Sequence, residues 1–157
     1  MKPACLALLL VGCVGSGGVE PAPDGGAAVD YATYVHPILE ARCAPLDCHG
    51  DPGRPLRLYA QTGLRAADGL RFMPITPAEL DLNVRSLAAV DPGVAPEESL
   101  VMTKPLAGGV GHAGGDVWTS PDDPEAVCLL GWLAGRTRQV GLTCQAAIDG
   151  IPPLPAP

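Results

Sequence analysis

Apolar residues recur at helical spacing in three stretches of the chain. Tyr34, Val35, Ile38 and Leu39 fall on one face of a helix predicted from Thr33 to Cys43, with Thr33 as its N-cap and Pro37 tolerated in its first turn. Thr76-Pro77-Ala78-Glu79 combines an N-cap, a proline at the first helical position and a capping-box glutamate. It predicts a helix to about Ala88 that turns Leu80, Val84 and Leu87 inward. Asp123 or Ser120 can cap a third helix that ends near Ala134, with Val127, Leu130 and Leu133 inward and Gly135 as its stop. No stretch alternates apolar and polar residues for long enough to build a sheet. The expected fold is therefore all-α, a small and loop-rich helical domain.

The N-terminus follows another pattern. Lys2 precedes an unbroken apolar run from Ala4 to Val11, far too short to span about 30 Å of hydrocarbon, so residues 1–12 read as a signal peptide that carries Cys5 away with it. Leu10, Val11 and Gly12 ahead of Cys13 resemble the lipobox of bacterial lipoproteins. That resemblance implies a lipid on Cys13 and a lipid-anchored place on the periplasmic side of a membrane. Val14 stands where an inner-membrane retention signal has aspartate, which favours the outer membrane. Residues 13–29 thus hold the lipidated cysteine and a glycine-rich tether with an r.m.s. reach of roughly 20–24 Å. The folded domain is expected over 30–150, and 151–157 form a stiff, disordered tail.

Composition sharpens the picture. The 157 residues include 20 glycines and 18 prolines but only two tryptophans, three tyrosines and one phenylalanine, so side chains bring little bulk to a core. A cofactor is expected to fill part of it, with the cofactor-free chain poorly folded. A net charge of −7 repels a phosphate backbone and argues against nucleic acid as a partner. No Ser–His–acid set or phosphate loop points to catalysis.

The leading helix delivers its end to Cys43-Ala-Pro-Leu-Asp-Cys48-His49-Gly50. Two thiols this close can add across the two vinyl groups of one porphyrin, and an imidazole directly behind the second can reach the iron. Three other chemistries suit these residues less well. A Cys43–Cys48 disulfide leaves His49 without a role. Zinc on Cys43, Cys48 and His49 lacks a fourth ligand, and a redox-active dithiol wants two intervening residues at a helix N-terminus. With Val35-His36-Pro37-Ile38-Leu39 before the motif and Leu56-Arg57-Leu58 after it, most of 33–134 resembles bacterial periplasmic monohaem c-type cytochrome domains. The four-residue spacing departs from their usual two and is known mainly from multihaem cytochromes. The resemblance implies a cytochrome c-like helical domain wrapped around one covalent haem c. It also implies a distal ligand from a loop before the C-terminal helix, and a crossing of that helix over the leading one that brings Trp132 or Leu129 to Val35 and Leu39.

With His49 proximal, the distal ligand is expected to be His112, in a loop rich in glycine that lets the backbone approach a flat cofactor. Met102 and Met73 are the alternatives, and an open or water-bound iron is the last. His36, two turns ahead of Cys43, reads as a partly buried structural residue. Arg54 and Arg57 can pair with haem propionates. Cys128 and Cys144 are expected to form a disulfide in an oxidising compartment. The resulting expectation is an electron-transfer lipoprotein and not an enzyme. It passes one electron between periplasmic redox partner proteins, held to the membrane by its N-terminal lipid and steered by its acidic surface towards basic docking patches. Two alternatives belong to other classes: a haem sensor or accessory domain with an open distal site, and a non-haem, disulfide-stabilised lipoprotein interaction module.

Overall fold

The computed structural model describes residues 31–154, without the side chains of 137–140. The expected signal peptide, Cys13, the tether and the final three residues lie outside the described residues. Among the described residues there is no strand, only isolated bridges joining Tyr59 to Leu64 and Leu106 to Trp118, and the domain is all-helical and loop-rich. No described helix is long and apolar enough to cross a membrane.

A π-helical turn over Tyr31–Val35 runs directly into α1, His36–Arg42. Thr33, expected as the N-cap, is instead an exposed residue inside that turn. The helix starts earlier because Tyr31 is fully buried with its ring 5.1 Å from that of Trp132, and tertiary packing overrides the local capping signal. Pro37 sits in the first turn of α1, next to the π-helical turn that precedes it. At the other end of α1 the Arg42 guanidinium grips Glu125 at 2.8 Å, and the Trp118 indole N–H reaches the same carboxylate at 3.1 Å.

The second helix, α2, spans Pro77–Ala88, and both halves of its capping box form. The Glu79 N–H donates to Thr76 Oγ1 at 3.3 Å, and the Thr76 N–H donates to Glu79 Oε2 at 2.9 Å. Its inward stripe differs from the expected one: Glu79, Asn83 and Leu87 are buried, while Leu80 and Val84 are only partly so. Polar pairing turns the helix this way. Arg65 forks onto Glu79 with two contacts of 2.9 Å, and Asn83 satisfies both the N–H and the carbonyl of Tyr59 at 2.6 and 2.9 Å. Arg65 also donates to the carbonyls of Leu70, Met73 and Pro74, so one buried guanidinium clamps the whole 70–74 loop to the start of α2.

A 3-10 turn at Pro96–Glu98 leads into the short α3, Leu100–Thr103, capped by the Ser99 side chain. The third expected helix is present as α4, Pro124–Leu133, closed by Gly135 at φ 68°. Its fully buried positions are Ala126, Cys128, Leu129 and Gly131, with Val127, Leu130 and Leu133 less buried than expected. The difference arises from a helix the periodicity did not reveal, α5, Thr137–Asp149, which packs on α4. Cys144 lies in that helix and not in a tail, and its disulfide to Cys128 staples the two helices. The buried positions of α5 are small, Cys144 and Ala147, whereas Leu142 is 91% exposed, so its hydrophobic pattern is faint.

These elements share one core. Tyr31, Val35, Ile38 and Leu39 from the leading segment meet Leu58, Leu87, Met102, Trp118, Leu129 and Cys144. Leu129 and Trp132 do pack against the leading segment, Trp132 through Tyr31. The shortage of aromatics is met by burying Tyr31 and Trp118 among small residues.

Two outcomes are expected. The Arg65 hydrogen bonds, opposed by burial and helped by the Ala66 and Thr76 N–H groups, hold the Glu79 carboxyl down at about 2. Against an unfolded value of about 4.3, this stabilises the fold by on the order of 3 kcal/mol at pH 7, an amount lost as pH falls below about 4 and through 2. Urea denaturation should show Glu79→Gln about 3 kcal/mol less stable at pH 7, with a narrower gap between pH 7 and pH 3. An unchanged gap contradicts the role of this carboxylate. Reducing the Cys128–Cys144 bond is expected to cost about 3 kcal/mol in the same measurement.

Candidate functional site

The segment that follows α1 turns tightly on itself. The Cys48 and Gly50 N–H groups both donate to the Pro45 carbonyl, at 2.9 and 3.0 Å, and the His49 N–H donates to the Cys43 carbonyl at 2.9 Å. The four residues between the cysteines are thus taken up in a hydrogen-bonded turn. Gly50 is required there: a Cβ on it lies 2.3 Å from the Ala44 carbonyl oxygen, and one on Gly63 lies 2.4 Å from the same atom. His49 is then held from both sides, since its carbonyl accepts the Leu58 N–H at 2.8 Å.

The His49 ring is fixed as well. Its Nδ1 is 3.0 Å from the Leu56 carbonyl oxygen. A carbonyl only accepts, so Nδ1 carries the proton and Nε2 keeps its lone pair. Burial lowers the His49 pKa, and the positive Arg54 and Lys104 and the neighbouring His112 add to that against the opposing Leu56 carbonyl, which favours the neutral, ligating form.

His112 is built in the same way. Its Nδ1 is 3.0 Å from the Gly115 carbonyl, again leaving Nε2 unprotonated, and its ring folds over Gly114, where a Cβ lies only 3.1 Å from Cε1. The loop carrying it brings the ring to His49: the two centroids are 5.9 Å apart and the planes differ by 11°. Two residues 63 positions apart in sequence therefore present near-parallel imidazoles with the same tautomer.

The other expected site residues sort by position. Met102 is 3% exposed and belongs to the core, whereas Met73 is 54% exposed on the loop clamped by Arg65. Arg54 folds back over the turn, donating to the Asp47 carbonyl at 3.3 Å, and Arg57 is exposed with its backbone N–H on Ser86. Cys43 and Cys48 are free thiols. Burial, reinforced by Cys48 and Glu125, pushes the Cys43 thiol up to about 12, and burial with the nearby Asp47 raises that of Cys48. Among the described residues no group of three or more His, Cys, Asp and Glu side chains is placed to hold a metal ion. His36 is buried more completely than expected, at 4% exposed.

Sequence inspection missed the Leu56 and Gly115 carbonyls, which have no side-chain signature, and Lys104, which faces His49 from the end of α3. No protein-family model, curated protein or solved structure matches this chain.

In chain produced without haem attachment, iodoacetamide at pH 8 should label Cys48 roughly tenfold or more faster than Cys43, which packs against the core and holds its proton more tightly. Denaturant should equalise the two. Equal rates in the folded chain contradict the packing of Cys43 against the core.

Proposed function

We propose that the chain is a c-type cytochrome-like electron carrier in which Cys43 and Cys48 hold one haem covalently and His49 and His112 are its axial ligands. The observation that carries this reading is the pairing of His49 with His112. Two imidazoles bound through Nε2 on opposite sides of one metal, at the usual bond length of about 2.0–2.1 Å, have centroids roughly 6 Å apart. The 5.9 Å separation and the two Nδ1–carbonyl bonds, which leave both Nε2 lone pairs free, support that reading. Hydrogen bonds of this kind orient a ligating histidine and raise its basicity. The haem, when bound, supplies a one-electron redox couple.

The chain's own residues do the rest. Leu56 and Gly115 keep both rings from rotating, so little rearrangement accompanies a change of charge. Arg54 and Lys104 place positive charge beside His49, and Arg54 and Arg57 are the proposed propionate partners. Burial raises the pKa of the Cys43 thiol, so the folded chain holds it mainly in its less nucleophilic protonated form. Both candidate imidazoles are half-buried and lie outside the side-chain core, which supports a cofactor at the edge of the domain. The N-terminal lipid, the tether, the outer-membrane position and the periplasmic redox partners are part of the same proposal, supported by the sequence of residues 1–29.

Protein made in cells with c-type maturation should show the mass of one covalent haem and a pyridine haemochrome spectrum. His112→Ala should keep that mass but convert a low-spin spectrum to high-spin, with Met102→Leu leaving it unchanged. Absence of the haem mass overturns the proposal, and a low-spin spectrum that survives His112→Ala overturns the ligand assignment.

A further inference from the structure

Away from His49 and His112, three buried polar atoms have no hydrogen-bond partner: the Tyr31 hydroxyl and both ring nitrogens of His36. Tyr31 is 0% and His36 4% exposed, and their rings are 6.0 Å apart. Buried polar atoms are nearly always paired, so a cluster of three unpaired ones marks a place where something is held. The neighbour of His36 says what. Its Nε2 is 3.4 Å from Glu40 Oε2, one turn along α1, too poorly aligned for a hydrogen bond but close enough for a strong charge interaction once the ring is protonated. The other Glu40 oxygen accepts the Gln61 N–H at 2.5 Å.

The groups around this pair come from every side. The leading segment contributes Tyr31, Glu40 and Cys43, the 59–66 segment contributes Arg65, and α2 contributes Asn83 and the Glu79 carboxylate that Arg65 grips. From α4 come Trp132 against Tyr31 and, at the far end, Glu125 paired with Arg42, while α5 brings the uncharged Cys144 and Ala147. Burial tends to raise the Glu40 carboxyl, but His36, the Gln61 N–H and Arg65 together bring it below its ordinary value, so it stays a carboxylate facing the ring.

We propose that His36 and Glu40 form a buried proton-binding site linked to the oxidation state of the centre carried at the end of the same helix. The linkage rests on the haem reading above. The helix itself is the physical connection, since His36 opens α1 and Cys43 caps its end two turns later, with Tyr31 lying against the His36 ring. When a one-electron donor protein reduces the centre, positive charge is lost near Cys43 and His36 takes up one proton from solvent. One N–H bond forms on the nitrogen facing Glu40, and it breaks again on reoxidation; no other bond changes.

Two measurements on the haem-loaded full chain test this. NMR of the His36 ring should show it titrating at higher pH in the reduced than in the oxidised protein. Potentiometric titration from pH 5 to 9 should show the potential falling with rising pH between those two midpoints, with a slope approaching but not exceeding about 59 mV per pH unit, the value for one proton per electron. His36→Gln should flatten this dependence while leaving the low-spin spectrum intact. If that variant does not fold, Glu40→Gln should move both midpoints to lower pH. A His36 ring that does not titrate, or a pH dependence that survives both substitutions, overturns the proposal. A sample lacking the haem mass overturns the linkage together with the haem reading, and the His36 titration in that same sample still decides whether the proton site exists.

Discussion

The approach of two glycines to one carbonyl governs the geometry of the site. Neither Gly50 nor Gly63 can carry a side chain without colliding with the Ala44 oxygen. Their contact with it closes the turn after α1 and brings the 56–63 segment alongside. From that closure follow the Leu58 N–H bond to the His49 carbonyl and the Leu56 carbonyl that fixes the His49 ring. The same segment carries Tyr59 to Asn83, and Arg65 directly after it reaches Glu79, so α2 is positioned by polar bonds from a loop that packs where only glycine fits.

The protein compensates for few large apolar side chains by burying polar ones in pairs. Arg65 with Glu79 and Asn83 with the Tyr59 backbone are satisfied, and an ion pair this completely hydrogen-bonded avoids the penalty of isolated buried charge. His36 and Tyr31 are the exception. Their unpaired atoms lie in the segment of the core packed against α1, next to the helix that presents Cys43, and this contrast with the well-satisfied network around α2 distinguishes a functional anomaly from a general looseness of packing.

Charge is distributed unevenly. The chain is acidic as a whole, but the cations that act on His49 are Arg54 and Lys104. The sign of the charge beside His49 thus differs from that of the chain as a whole, and the local sign dominates within the ~8 Å screening length of physiological salt.

Much of this was legible along the chain. The capping box fixed α2 at both ends of its signal, the close succession of Cys43, Cys48 and His49 marked the site, and the glycine-flanked His112 stood out among the candidate partners. These features are local, because capping, turn closure and ligand spacing act over a few residues. What lay out of reach was long-range. The face that α2 buries is chosen by Arg65, fourteen residues upstream of its partner, and Thr33 lost its capping role because Tyr31 packs on Trp132. The α5 helix left a faint pattern because its buried described residues, Cys144 and Ala147, are small and Leu142 points to solvent. Sequence alone determined the helical class, the Cys128–Cys144 pairing and which residues were candidates for the site, since each depends on residue type and spacing. Only the tertiary structure decided that His112 and not Met102 or Met73 meets His49, because that choice depends on how a glycine-rich loop folds across a core that no local signal describes.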